Sequence, residues 1–372
     1  MKLAFLAAAN SIHGIRWVQF FAERGHDVTW ISLAPPLRGA ESTVSKTTFH
    51  EISPSPLTDI NGTRGYLHVP GAVRTLRRIL HAHKPELLHI HSAGMYGLVG
   101  TFTKFHPVIL TPWGTDILLN RGVKKLFAKY VVRNSDFFTC DGENTRKKLI
   151  EFGAPPENIS LIRFGVDLAK FSHKSKIERR TSNVRIISLR TLIPIYDIET
   201  LIRAATIVVK DAPDAEFVIA GDGEQKVYLE NLARELGVEK SIKFFGRYNP
   251  NDLPAMLSGA DIYVSTALSD SGLAASTAEA MAAGLPAVVT DTGDNREWVM
   301  EKKGGFVVPC RDPGVLAARI LILIKGKKLR QTLGAWNRNV IEEKNNYQKE
   351  MAKTEKIYSM IAAASRGAGK DN

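Results

Sequence analysis

Short apolar runs, each followed by a stretch with helical spacing, alternate along nearly the whole chain, and this alternation restricts the fold more than any other feature. In the first half the runs fall at residues 3–8, 28–33, 87–90, 108–111, 137–140 and 159–162, with helical patterns at 15–24, 73–83, 123–133 and 144–152. Runs that are apolar on both faces suit strands covered by helices on either side, so the pattern predicts parallel sheets of the doubly wound α/β class. The stretch 35–71 is rich in Pro, Ser, Thr and Gly and reads as loop-dominated. Charge displaces apolar residues over 172–183 (SHKSKIERRTSN), and the alternation then restarts with runs at 184–189, 216–220, 242–245, 262–265, 287–290 and 305–308. The expected organisation is a first α/β domain over 1–172, a linker over 173–183, a second α/β domain over 184–335 and a closing helical segment over 336–372.

Composition narrows the partners. Two cysteines, Cys140 and Cys310, are too few for a disulfide framework and lack zinc-site spacing, which points to a reducing compartment. No apolar run reaches the roughly 20 residues that span a bilayer. The opening MKLAFLAAA superficially matches a signal peptide, but helical spacing begins almost at once, which favours a buried first strand. The net charge of +12 favours nucleic acid, an anionic lipid surface or phosphorylated ligands. Aromatics are not interleaved with the basic residues, and no helix-turn-helix or zinc-finger pattern occurs, so nucleic acid is set aside.

Several segments sit where strands end, which is where open α/β sheets place ligands. The first is Ala9-Asn10-Ser11-Ile12-His13-Gly14, which is not a GxGxxG fingerprint. Asn10 and His13 there either meet an acceptor or phosphate or simply open a helix in solvent. His89 and His91 stand at strand spacing on one side of a strand. Without a carboxylate or third ligand nearby they do not read as a metal pair; His91 suits a ligand-facing strand end and His89 a packed position. In Thr111-Pro112-Trp113-Gly114-Thr115-Asp116, Gly114 permits a tight turn, and Asp116 either caps the next helix or meets a bound ligand.

The second half is more specific. Arg190 leaves the first strand of that half, where a fixed guanidinium suits a diphosphate. Ala220-Gly221-Asp222-Gly223-Glu224 follows a strand, and its glycines serve either close backbone approach to a ligand or a plain turn. The segment 269–286 runs from a loop holding Asp270, Ser271, Gly272 and Leu273 into a helix whose first amides can receive phosphate oxygens. Glu279 lies on that helix, as a ribose ligand or as a solvated glutamate.

The stretch SGLAASTAEAMAAGLPAVVTDTGDNREWV resembles the donor-binding signature of family 4 glycosyltransferases, retaining enzymes of the GT-B fold. VIAGDGEQKVYLENLARELG, IKFFGRY and SGADIYVSTALSDSG extend the resemblance over the second domain, and AERGHDV and RFGVDLAKF add to it in the first. The resemblance implies two Rossmann-like domains facing across a cleft and a nucleoside diphosphate sugar as donor, with no further cofactor. It implies that Glu279 binds the ribose and that Gly272 and Leu273 offer amides to diphosphate and sugar. It further implies that Arg190 neutralises the diphosphate and that the turn Phe245-Gly246-Arg247 borders the base. The acceptor would dock near His13, His91 and Asp116, and the leaving phosphate would assist deprotonation in a front-face attack.

Three positions depart from the family pattern. Ser271 stands where a second glutamate is usual, with Asp270 beside it; Pro194-Ile195-Tyr196-Asp197 replaces a Lys-Gly pair; and Trp113 replaces a histidine. Asp270 can stand in for the glutamate if the loop shifts by one residue, and Arg190 then carries more of the phosphate charge. The expected function is retaining, metal-independent transfer of a hexosyl or N-acetylhexosaminyl group to a glycan, lipid-linked or surface-polymer acceptor. A GT-B sugar-nucleotide epimerase and a catalytically silent sugar-nucleotide binder are the competing readings. Basic residues gather at Arg74, Arg77, Arg78 and Lys84, and again at Arg121, Lys124, Lys125, Lys129 and Arg133. They suggest a cytoplasmic protein with peripheral contact to an anionic membrane.

Overall fold

The computed structural model describes residues 1–36, 41–52, 64–171 and 183–368. The chain forms two compact units, one of Met1–Arg163 with Met351–Asn372 and one of Phe164–Glu350. The units divide upstream of the segment expected as a linker, which apart from Asn183 lies outside the described residues.

The first unit holds a seven-stranded sheet of β1 (Lys2–Leu6), β2 (Asp27–Ser32), β3 (Thr48–Glu51), β4 (Leu87–His91), β5 (Val108–Thr111), β6 (Phe137–Cys140) and β7 (Ile159–Leu161). Its strand order is β3-β2-β1-β4-β5-β6-β7 and each neighbouring pair is parallel. The second unit holds β8 (Arg185–Ser188), β9 (Glu216–Ala220), β10 (Ile242–Gly246), β11 (Ile262–Ser265), β12 (Ala287–Thr290) and β13 (Gly305–Val308). Their order is β10-β9-β8-β11-β12-β13, again all parallel. Each sheet thus grows one way from its first strand and then reverses, the Rossmann order, with its switch point between β1 and β4 or between β8 and β11. Strands such as β4 and β12 are buried along their whole length because helices cover both faces.

Two features differ from the sequence expectation. The stretch read as loop-dominated contains β3, an edge strand of Thr48-Phe49-His50-Glu51 that is only half-buried and so lacks an apolar run. The closing segment is helical as expected, but it starts earlier than 336 and runs as two helices, Lys327–Lys344 and Tyr347–Ala368. At the break, Asn345 turns its backbone and side chain to another strand of chain: Val166 N–H donates to Asn345 O at 2.7 Å and Gly165 N–H to Asn345 Oδ1 at 2.9 Å. Beyond the break, Met351, Tyr358, Ile361 and Ala362 are buried, and Tyr358 stacks on Phe21 of the first unit with ring centroids 4.7 Å apart.

Candidate functional site

In the second unit the switch point is occupied by Arg190, which leaves β8 and is 6% exposed. Its Nη2 donates to Asp270 Oδ1 at 2.6 Å and its Nη1 to Ser276 Oγ at 3.3 Å. The guanidinium lies over the Tyr196 ring, 4.0 Å from the centroid. Ser276 also bonds the Tyr263 hydroxyl at 2.9 Å, and Tyr263 accepts from Thr277 at 3.3 Å, so the cation is seated in a connected polar chain. Burial pushes the Asp270 carboxyl above its ordinary value, against the pull of Arg190. Tyr196 occupies the segment that replaces the family's Lys-Gly, and the segment is stitched to the end of β11 by Leu268 N–H to Ile195 O (2.8 Å) and Thr266 Oγ1 to Tyr196 O (2.9 Å). One aromatic face beneath the guanidinium thus stands where a second cation is usual.

The helix Ala275–Ala282 begins beside this cation, and its N-cap, Ala274, offers no side-chain cap, which leaves first-turn amides open. The amides of Gly272 and Leu273, just upstream, donate to no acceptor among the described residues. Glu279 is half-buried on this helix; burial, and to a lesser degree the Glu279 charge, pushes the Tyr248 phenol up to about 12. Gly221 serves a packing need: a Cβ there would come within 2.2 Å of the Arg190 carbonyl oxygen. Gly246 is a left-handed turn residue, with φ of 78°, at the end of β10. Arg247 is exposed, while Phe245 lines a groove with Arg185, Ile187, Lys243 and Met256.

In the first unit the switch point carries an aromatic cluster. His13, in the first turn of the helix Ile12–Glu23, stacks on Trp113 with centroids 4.6 Å apart and planes at 22°. His91 closes β4 and meets Trp17 and Trp113 edge-on at 5.2 and 5.5 Å. Burial lowers the His91 pKa to about 3, assisted by His13, and lowers that of His13 to about 4, assisted by Arg16. Both imidazoles are therefore neutral at pH 7, and neither ring nitrogen of His91 has a hydrogen-bond partner among the described residues. His89 is by contrast saturated: Nε2 bonds Thr111 Oγ1 at 2.6 Å and Nδ1 bonds the Tyr358 hydroxyl. Asn10 is exposed in the turn before the helix.

Asp116 bridges two loops. Its Oδ2 accepts from Ala93 N–H at 2.7 Å and its Oδ1 from Trp113 N–H at 2.9 Å. Burial raises the carboxyl above its ordinary value, opposed by these amides and by the Ser92 hydroxyl. Among the described residues no group of three or more His, Cys, Asp or Glu is arranged to hold a metal ion.

The structure thus gathers Arg190, Asp270, Ser271, Gly272, Leu273 and Glu279 around one switch point and His13, His91, Trp113 and Asp116 around the other. Sequence reasoning missed Tyr196, Ser276 and Tyr248 in the second unit and Trp17 in the first. Trp17 follows His13 by one helical turn, a spacing that could have signalled it.

Two Rossmann-ordered, all-parallel sheets of this kind are the architecture of the GT-B class. The chain belongs to the family 4-like, group 1 glycosyltransferases: the model of glycosyl transferases group 1 matches residues 170–340 and that of glycosyl transferase 4-like proteins residues 2–140. An uncharacterized glycosyltransferase of Methanocaldococcus jannaschii is 25% identical over 80% of this chain and 82% of its own length. The N-acetyl-alpha-D-glucosaminyl L-malate synthase of Bacillus anthracis is 20% identical over 91% of this chain and 90% of its own. Among solved structures, the Anabaena protein HepE in complex with UDP-glucose matches with a TM-score of 0.81 at 18% identity, over 97% of this chain and 100% of its own. That last likeness is one of fold.

Proposed function

We propose that this protein transfers a hexosyl or N-acetylhexosaminyl group, with retention of configuration, from a nucleoside diphosphate sugar of the UDP type to a hydroxyl of a glycan, lipid-linked or surface-polymer acceptor. The observation that carries the proposal is the seat of Arg190: a buried cation at the switch point, beside an uncapped helix start and the open amides of Gly272 and Leu273. Such donors suit the charge that develops on a departing diphosphate, and in this reading Glu279 accepts from the ribose hydroxyls. UDP-glucose in HepE and the N-acetylglucosaminyl product named for the B. anthracis relative support this donor class.

The first unit would meet the acceptor through Trp113 and His13, with the buried His91 packed against Trp113 and both imidazoles neutral, which suits uncharged hydroxyls. An epimerase would need a free acid/base carboxylate pair there, and the Asp116 carboxylate accepts from two backbone amides. Contact with an anionic membrane is supported by Val123 and Leu126, which are 62% and 64% exposed on the helix Gly122–Arg133 next to Lys124 and Lys125.

Incubation with UDP-glucose and UDP-N-acetylglucosamine, with and without acceptor extract, tests the proposal through released UDP and product anomer. Glu279→Ala should weaken UDP binding by about 1.5–3 kcal/mol, the size of a charge-assisted hydrogen bond. Binding of UDP without turnover of either donor would leave a silent binder, and unchanged UDP affinity in Glu279→Ala would remove the ribose role.

A further inference from the structure

Ser92, the residue after His91, has a φ of 101°, a backbone conformation that L-residues avoid and that must be held by its surroundings. Its own side chain is engaged, accepting from Gly94 N–H at 3.1 Å and bonding the Asp116 carboxylate, and two backbone restraints add to this. Ser92 N–H continues the β4–β5 ladder by donating to Thr111 O at 2.8 Å, and the next amide, Ala93 N–H, donates to Asp116 Oδ2 at 2.7 Å. The other carboxylate oxygen of Asp116 holds Trp113 N–H at 2.9 Å. One side chain therefore clamps the two turns that follow neighbouring strands.

The indole of Trp113 is stacked on His13, and its edge meets His91, so where the Trp113 backbone is fixed, the wall of the cluster is fixed. Gly114, with φ of 107°, sets the turn between Trp113 and the helix Thr115–Leu118 that carries Asp116, and that short helix has no side-chain cap. With both oxygens engaged by backbone amides, the carboxylate is a poor candidate for proton transfer. It is a good strut.

We propose that Asp116 is a positioning residue: by tying Ala93 and Trp113 together it holds the His13–Trp113 stack and the His91 ring in one arrangement, against which the apolar face of a neutral acceptor sugar packs. The acceptor part rests on the glycosyl transfer proposed above; the clamp does not. Rings shaped this way favour the C–H face of a pyranose over a carboxylate, because neither imidazole carries charge at neutral pH and the one acid present is turned to the backbone.

Asp116→Asn and Asp116→Ala test it, with three readouts on the full chain. The first is structural: near-UV circular dichroism, with Trp113→Phe to assign the Trp113 bands, and the ring signals of His13 and His91 by NMR. The second is UDP affinity by calorimetry, and the third is UDP released from UDP-glucose with acceptor extract. The expected result is shifted Trp113, His13 and His91 signals, unchanged UDP affinity and turnover lowered on the order of a hundredfold, as small misplacements of a reacting group produce. Lost turnover with unshifted ring signals would overturn the proposal in favour of direct contact with substrate, and unshifted signals with full turnover would overturn it outright. If Asp116→Ala does not fold, Asp116→Asn, which keeps the shape but can satisfy only one amide, decides the matter. Should the wild-type protein release no UDP, the transfer reading fails, while the ring signals still decide the clamp.

Discussion

Arg190 and Asp270 form an ion pair, Nη2 to Oδ1 at 2.6 Å, at the point where the strand order of the second sheet reverses. The pair is almost fully buried, so its attraction is little screened and its separation would be costly. It also means that the cation suited to a diphosphate already has a carboxylate partner.

Asp270→Asn should therefore do two opposite things. Removing one member of a buried pair leaves the other uncompensated and costs about 3 kcal/mol of stability. The freed guanidinium should hold UDP more tightly, by roughly tenfold or about 1.4 kcal/mol. Urea midpoints and calorimetry read the two effects separately. Weaker UDP binding in Asp270→Asn would show that Asp270 aids the donor rather than competing with it.

The histidines of the first unit predict acid lability. For a base whose folded pKa is depressed, the unfolded chain takes up the proton first as pH falls. Stability is then complete above the unfolded value of about 6.5 and declines toward the folded values. With His13 near 4 and His91 near 3, each should cost about 1.4 kcal/mol per pH unit across that window. His91→Phe, which keeps an aromatic ring, should flatten the dependence of the urea midpoint between pH 6.5 and 4. A slope equal to wild type would mean that His91 is not held neutral.

Tyr358 anchors the final helix to the strand that carries His89 and His91. Its hydroxyl bonds His89 Nδ1, and its ring lies on Phe21. Tyr358→Phe keeps the ring but leaves His89 with a buried, unpaired nitrogen, at a cost of about 1–3 kcal/mol. The urea midpoint measures it, and an unchanged midpoint would show the hydroxyl to be dispensable.

The helix Gly122–Arg133 predicts contact with anionic bilayers. Each basic residue near such a surface contributes about 1 kcal/mol, and exposed Val123 and Leu126 would add apolar insertion. Vesicles containing phosphatidylserine should sediment the protein at low salt and release it at high salt, and charge reversal at Lys124, Lys125 and Lys129 should weaken the binding. Absence of sedimentation at low salt would end the idea without touching the transfer chemistry.

By itself the sequence determined the parts that repeat locally. The apolar runs specify buried parallel strands such as β4 and β12, because hydrophobicity on both faces has no other stable use in a short segment. The passage from the loop at Asp270 into the helix Ala275–Ala282 was equally legible, since a loop that opens a helix is written in contiguous residues. Only the tertiary structure decided the rest. Strand β3 escaped notice because an edge strand needs no apolar run, and Thr48–Glu51 owes its place to pairing with β2. The closing helix was visible, but not that Tyr358 would bond a histidine 269 positions earlier. Asp270 read as a stand-in for the family's glutamate, and the fold adds Arg190, 80 positions away, as its partner; Asp116 read as a cap or a ligand contact, and the fold adds Ala93. Periodicity and turn chemistry are properties of neighbours along the chain, while the partner of a buried charge is set by which strands the sheet places side by side.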